Sequence, residues 1–179
     1  MLPASKTWSR RELADAAKLN EQVRDVQEFL SNPPFVVLRR TETWNVTGGA
    51  DTPITWQSSS SNGFTLVNSG SNVTGAKVKY PGRYRFYFAI CGRVSGGSSE
   101  FSHLSPYLAV DGTVVQRSTA TVETQDYMDT AYVDAFLDLE AGQTVSGVVW
   151  ITGSGRKGAL AVDPQQREVT QLFGYWIGQ

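Results

Sequence analysis

"YPGRYRFYFAICGRV", residues 80–94, decides the fold. After Pro81-Gly82, Tyr84, Phe86, Phe88 and Ile90 fall at every second position. Period two is the side-chain period of a β-strand, because successive side chains point to opposite faces of the sheet. One face of this strand is therefore expected in a core. The other face carries Arg83, Arg85, Tyr87, Ala89 and Cys91. That mixture is too apolar for a face left wholly to water, so something outside the strand's own sheet is expected to cover part of it.

Working outward, other segments repeat the signal. "FVVLRRT" (35–41), "PITWQ" (53–57), "AKVKY" (76–80), "TVSGVVWIT" (144–152) and "EVTQLFGYWIG" (168–178) read as strands. "PYLAV" and "TVVQRST" flank Asp111-Gly112, a strong two-residue hairpin signal. "AYVDAFLDL" (131–139) puts Ala131, Val133, Ala135, Leu137 and Leu139 on one face and Tyr132, Asp134, Phe136 and Asp138 on the other. "SSSSNGFTLVNSGSNVTG" (58–75) reads as turn-rich, with pairing expected only over 64–67, and "GSGRKG" (153–158) as an exposed hairpin loop. Asn45-Val46-Thr47 and Asn72-Val73-Thr74 read as turn chemistry rather than glycan acceptors. Many short strands separated by turns predict an antiparallel sandwich or barrel over 35–179.

Residues 7–30 differ in period. Ser9 with Glu12 forms a capping box, and Trp8 with Leu13 has the spacing of a hydrophobic staple. Ala16, Leu19, Val23, Val26 and Leu30 follow at alternating steps of three and four, a narrow a/d seam. An isolated helix of this length is marginal in water, so the seam needs a partner. Its own β domain, sister chains and a larger assembly are the candidates. Pro33 and Pro34 end the helix and free its direction from the first strand. The chain thus divides into an N-terminal helical anchor, 1–34, and a β domain, 35–179.

Composition narrows the function classes. The chain has 179 residues, 40% hydrophobic and 18% charged, which suits a globular protein with a buried core. A net charge of −1 gives no footprint for nucleic acid. No apolar run is long enough to cross a bilayer as a helix, and the first twenty residues have no signal-peptide apolar region. One Cys and one His leave no intrachain disulfide and no zinc site built of those residues.

No catalytic constellation emerges, and no cofactor is expected. His103 is solitary and reads as structural; no Gly-x-Ser-x-Gly elbow followed by a helix is present. Asp134 and Asp138, four apart on one strand face, stand roughly 13 Å from each other, beyond the spacing of paired glycosidase carboxylates. Glu123, Asp126 and Asp129 offer oxygen ligands that suit Ca²⁺, but lack an EF-hand spacing and its glycine, and read as a solvated loop. Trp44, Trp56 and Tyr127 are the candidates for surface recognition, since aromatic faces stack on sugars.

Three segments in order resemble the C1q/TNF-like jelly roll: "PGRYRFYFAICG", "LDLEAGQTVSGVVW" (with Gln143 where the family more often has Asp) and "FGYWIG". The resemblance covers roughly 35–179. It implies a mainly β, jelly-roll sandwich that forms compact homotrimers, with inner sheets facing a three-fold axis. Arg83, Arg85, Tyr87 and Ala89 would then be trimer-facing. The leader "TWSRRELADAAKLNEQVRDVQEFLSNPP" is similar to the start of small virion proteins of tailed actinobacterial phages, in which a short helix precedes a C1q-like domain. That second resemblance implies a non-enzymatic structural protein of the virion, of the minor tail or fibre-associated type, anchored to other virion proteins through Trp8, Leu13 and the seam. A capsid decoration trimer and a knob binding a host saccharide are the alternatives.

Overall fold

The structure is a computed structural model that describes residues 16–42, 44–95, 101–123, 129–151, 157–160 and 170–178. One helix, α1 (Ala16–Ser31), leads into β1 (Phe35–Arg39), β2 (Trp44–Thr47), β3 (Thr52–Pro53), β4 (Ser58–Asn62), β5 (Phe64–Ser69) and β6 (Asn72–Val78). The long β7 (Gly82–Ser95) follows, then β8 (Phe101–Val110), β9 (Thr113–Arg117), β10 (Ala120–Glu123), β11 (Asp129–Leu139), β12 (Thr144–Ile151), β13 (Lys157–Leu160) and β14 (Gln171–Gly178). They form two antiparallel sheets. The first runs β2-β13-β7-β14-β1-β4, with β11 on the other edge of β7; the second runs β10-β8-β12-β6-β5, with β9 on β8 and β3 on β12.

The period-two expectation for 80–94 holds. Tyr84, Phe86, Phe88 and Ile90 are fully buried between the sheets. Phe64 meets Tyr84 and Phe86 with ring centroids 5.5 and 6.4 Å apart, and Trp56 meets Phe88 edge-on at 5.9 Å. Such edge-to-face pairs suit the ring quadrupoles. Pro81-Gly82 has a steric reason: Gly82 has φ 147°, and a Cβ there would lie 2.5 Å from Trp176 Nε1. The Tyr84 hydroxyl donates to the Tyr80 carbonyl at 2.7 Å, fixing the turn to the strand, and burial pushes its pKa up to about 12. The Asp111-Gly112 hairpin forms as expected, with positive φ at both residues.

Several local expectations are corrected. Residues 58–75 are mostly strand: β4 pairs with β1, and β5 pairs with β6 from Asn72 onward. Serine and asparagine have low strand propensity, but an edge strand next to β1 is specified by its ladder rather than by its side chains. "PITWQ" is in a named strand only at Pro53; the Ile54 amide donates to the Gly147 carbonyl, Trp56 exchanges two backbone bonds with Val73 as an isolated bridge, and both side chains fill the core. Asn45–Thr47 lies in β2 and Asn72–Thr74 in β6, so neither triplet is a turn. Lys157 and Gly158 belong to β13, which fills the gap between β2 and β7. The capping box and staple, with Trp8 and Leu13, lie outside the described residues.

The helix meets its own domain by a residue outside the seam. Phe29 packs edge-on against Trp176 at 4.9 Å and Tyr80 at 6.0 Å. The junction is not free at Pro33-Pro34: Asn62 Nδ2 donates to the Asn32 carbonyl at 2.7 Å, and the Trp176 amide to the Pro34 carbonyl at 2.9 Å. Phe29 is six residues on from Val23, about 120° around the helix from it. Seating Phe29 therefore turns Val23 and Leu30 outward, 51% and 62% exposed, while Val26 is half-buried and the side chains of Ala16 and Leu19 lie outside the described ones. Among the described residues, no helix is long and apolar enough to cross a membrane.

Candidate assembly face

The first sheet turns an ordered set of side chains away from the core. Residues directly opposite in register share a face, which yields three cross-strand rows. One runs Phe136, Arg85, Tyr175, Phe35, Asn62; the next Asp134, Tyr87, Phe173, Val37, Ser60; the third Tyr132, Ala89, Gln171, Arg39, Ser58. Aromatic and aliphatic groups concentrate in the first two rows and are ringed by polar ones. Tyr87 stacks on Tyr132 with centroids 5.6 Å apart, and Phe173 lies 5.3 Å from Tyr175. Tyr132 and Phe136 remain 57% exposed at the edge formed by β11.

The charges on this face are partnered. Arg85 grips Asp134 with two nitrogens, Nε reaching Oδ1 at 3.0 Å, and its Nη1 donates to the Tyr175 hydroxyl at 3.4 Å. The hydrogen bonds from Arg85 hold the Asp134 carboxyl below its ordinary 3.8, and those to Asp134 and Tyr175 push the guanidinium further up. Arg83 lies 3.8 Å from Asp138, and both guanidiniums sit over the Phe136 ring at 5.7–5.8 Å. Desolvation, with Tyr132 and Asp134 nearby, raises the Tyr87 pKa. Between β1, β14 and β7 the face sinks into a depression of about 410 Å³, floored by Val37, Tyr87, Phe173 and Tyr175 with Arg39, Arg85 and Gln171 around it.

Arg83, Arg85, Tyr87 and Ala89 all lie on this face, although Ala89 is buried at 3% exposure. The sequence reading missed most of its apolar content: Phe35, Val37, Phe173 and Tyr175. Their signal was present, since "FVV" and "FGY" put apolar residues on both faces of their strands, as in β7.

The surface-recognition candidates fare differently. Trp56 is fully buried, with no hydrogen-bond partner for Nε1, so it cannot stack on an external ligand; it fills the space beside Gly147 and Phe88. Trp44 is half-buried against the core, and the Arg40 guanidinium lies 4.9 Å over its ring. Arg40 itself is buried, bonded to Thr55 Oγ1 at 3.1 Å and the Glu42 carbonyl at 3.2 Å, and desolvation lowers its pKa. Tyr127 lies outside the described residues. So does Asp126, between Glu123 at the end of β10 and Asp129 at the start of β11; among the described residues no group of three potential metal ligands is present. His103 sits half-buried in β8 opposite Thr121. Asp134 and Asp138 are ion-paired with Arg85 and Arg83 rather than arranged as a catalytic pair.

No protein-family model matches the chain. No curated protein matches it either. Solved structures do. Crystal structures of murine APRIL at pH 5.0 and pH 8.0 are 14% and 13% identical to it, each aligning 80% of this chain with 98% of theirs at a TM-score of 0.52. Eiger TNF from S. frugiperda is 15% identical over 81% of this chain and 92% of its own, at a TM-score of 0.48. With two antiparallel sheets in this order and this likeness to APRIL, the β domain has the TNF-like jelly-roll fold.

Proposed function

We propose that the chain is a non-enzymatic structural protein that assembles as a homotrimer through the outer face of its first sheet. We further propose that it serves in the virion of a tailed phage as a minor tail or fibre-associated component, attached to other virion proteins by its N-terminal helix. The single observation that carries self-assembly is the patch formed by Phe136, Tyr175, Phe35, Tyr87, Phe173 and Val37: an apolar centre with a polar rim is the anatomy of a protein interface. The patch is polar in another sense. Exposed Phe136 and Tyr132 stand at the β11 edge, while the depression lies across the sheet toward β1. A projection and a hollow at different places on one face favour a heterologous contact, the kind that builds a ring when its rotation closes.

The virion assignment rests on the leader's resemblance and on the exposed seam. Val23 and Leu30 face away from the jelly roll, as a helix seeking a second partner requires. The test is incorporation into particles. A chain starting at Phe35 should still fold and self-assemble but be absent from purified virions, and Val23→Asp, Val26→Asp should behave likewise, because burying unpaired charge is costly. Normal incorporation of the Asp variant would place the anchor elsewhere. Copy number per particle separates a tail component, present in a few copies, from a capsid decoration trimer, present in hundreds.

A further inference from the structure

We infer that the groove between the end of α1 and the sandwich is a binding site for a neutral saccharide. The groove has a volume of about 580 Å³, within the roughly 300–1,000 Å³ of small-molecule sites. It is built by the contacts that seat the helix. Phe29 and Tyr80, 6.0 Å apart, supply aromatic surface at one side. Glu28, Asn32 and Asn62 add a carboxylate and two side-chain amides to its lining.

The chemistry of these groups selects the ligand. A sugar hydroxyl both donates and accepts, and a side-chain amide offers both functions in return. Asn62 uses one N–H on the Asn32 carbonyl, which fixes its amide and leaves its oxygen and second N–H for a ligand. Ser31 donates to the Glu28 carbonyl at 3.1 Å, which leaves its oxygen as an acceptor. The Glu28 carboxylate accepts from hydroxyls more strongly than a neutral group does. Apolar ring surface beside such groups accommodates the C–H face of a pyranose. Among the described residues no lysine or arginine lines the groove, and the charge they bring to it is the negative one of Glu28, which disfavours phosphate and acidic sugars. Asn62 also ends the first cross-strand row of the assembly face, so the groove borders that face.

The experiment uses the full chain with two neutral trisaccharides, maltotriose and N,N′,N″-triacetylchitotriose, and one acidic one, sialyllactose, as probes in calorimetry and ligand-observed NMR. Binding of at least one neutral probe with Kd near or below about 1 mM is expected. Glu28→Gln, at an exposed side chain, should weaken it about tenfold by removing a charge-assisted hydrogen bond. Asn62→Ala should weaken it at least as much, with melting recorded because Asn62 also tethers the helix. Absence of binding by both neutral probes, equal binding of sialyllactose, or a Kd unchanged in Glu28→Gln would overturn the inference. Sedimentation of the same samples reads self-assembly separately, so loss of one property is distinguishable from loss of the other.

Discussion

The two sheets treat their outer faces differently. On the second sheet, Tyr107, Ala109 and Val148 also point away from the core, yet they are 7%, 1% and 7% exposed. Val114 and Trp150 pack beside them and the Arg117 guanidinium lies 4.8 Å over the Tyr107 ring, so the chain closes that patch itself. On the first sheet, Tyr132 and Phe136 are each 57% exposed, and no strand or loop among the described residues lies over the rows of Tyr175 and Phe173. Apolar residues on an outer face therefore do not by themselves mark an interface. What separates the two patches is whether the described segments of the chain cover them.

The predictions sharpen that contrast, and the largest effect belongs to the core that both sheets share. Phe86→Ala should lower stability by about 3–5 kcal/mol, measured by chemical denaturation. Gly174→Ala should cost about 1–3 kcal/mol, because a Cβ there would fall on the Phe86 ring. A melting curve matching that of the unaltered protein would mean that the two strands pack differently from the arrangement described.

On the outer face of the first sheet the expected effect is on assembly. Phe136→Asp places a third carboxylate between Asp134 and Asp138 and removes the β11 projection; it should yield a folded monomer. The equivalent insult on the second sheet, Val148→Asp, should instead unfold the domain while leaving no folded monomer, because Val148 is covered within its own chain. Circular dichroism with sedimentation distinguishes the two.

Proton linkage gives a smaller, two-sided effect. Tyr84 titrates higher in the fold than its ordinary 10, so its contribution is complete below pH 10 and is lost as pH rises toward about 12. Tyr84→Phe should remove that alkaline loss. Asp134 is depressed below 3.8, so its contribution is complete above about pH 4 and is lost as pH falls through its lower folded value. Asp134→Asn should flatten that acid limb. Because both partners are exposed, the change should be modest.

Much of this was legible in the residues. Strict alternation in 83–91 and 131–139 fixed which side chains enter the core, because a one-residue slip would reverse both faces. Asp111-Gly112 marked its hairpin because few other pairs adopt positive φ twice. Serine-rich β4 was not legible: its pairing is dictated by β1, far from any local preference. The same holds for the helix. Its seam was visible as a pattern, but Phe29 docks on Trp176, a residue 147 positions later, and only the tertiary structure places them together. Trp56 misled because a tryptophan beside polar neighbours reads as exposed, whereas its fate was set by the distant Phe88 and Gly147. For the assembly face, β7 and its arginines were readable; the aromatic rows required the registers of β14, β11 and β1.

Sedimentation velocity of the full chain at micromolar concentration, alongside Phe136→Asp, decides whether the outer face of the first sheet joins copies of the chain. The account predicts a species about three times 19.6 kDa for the unaltered chain and 19.6 kDa for the variant. A sharp 19.6 kDa boundary for both would contradict it, leaving the aromatic rows of the first sheet as an open surface with no copy of the chain to cover them.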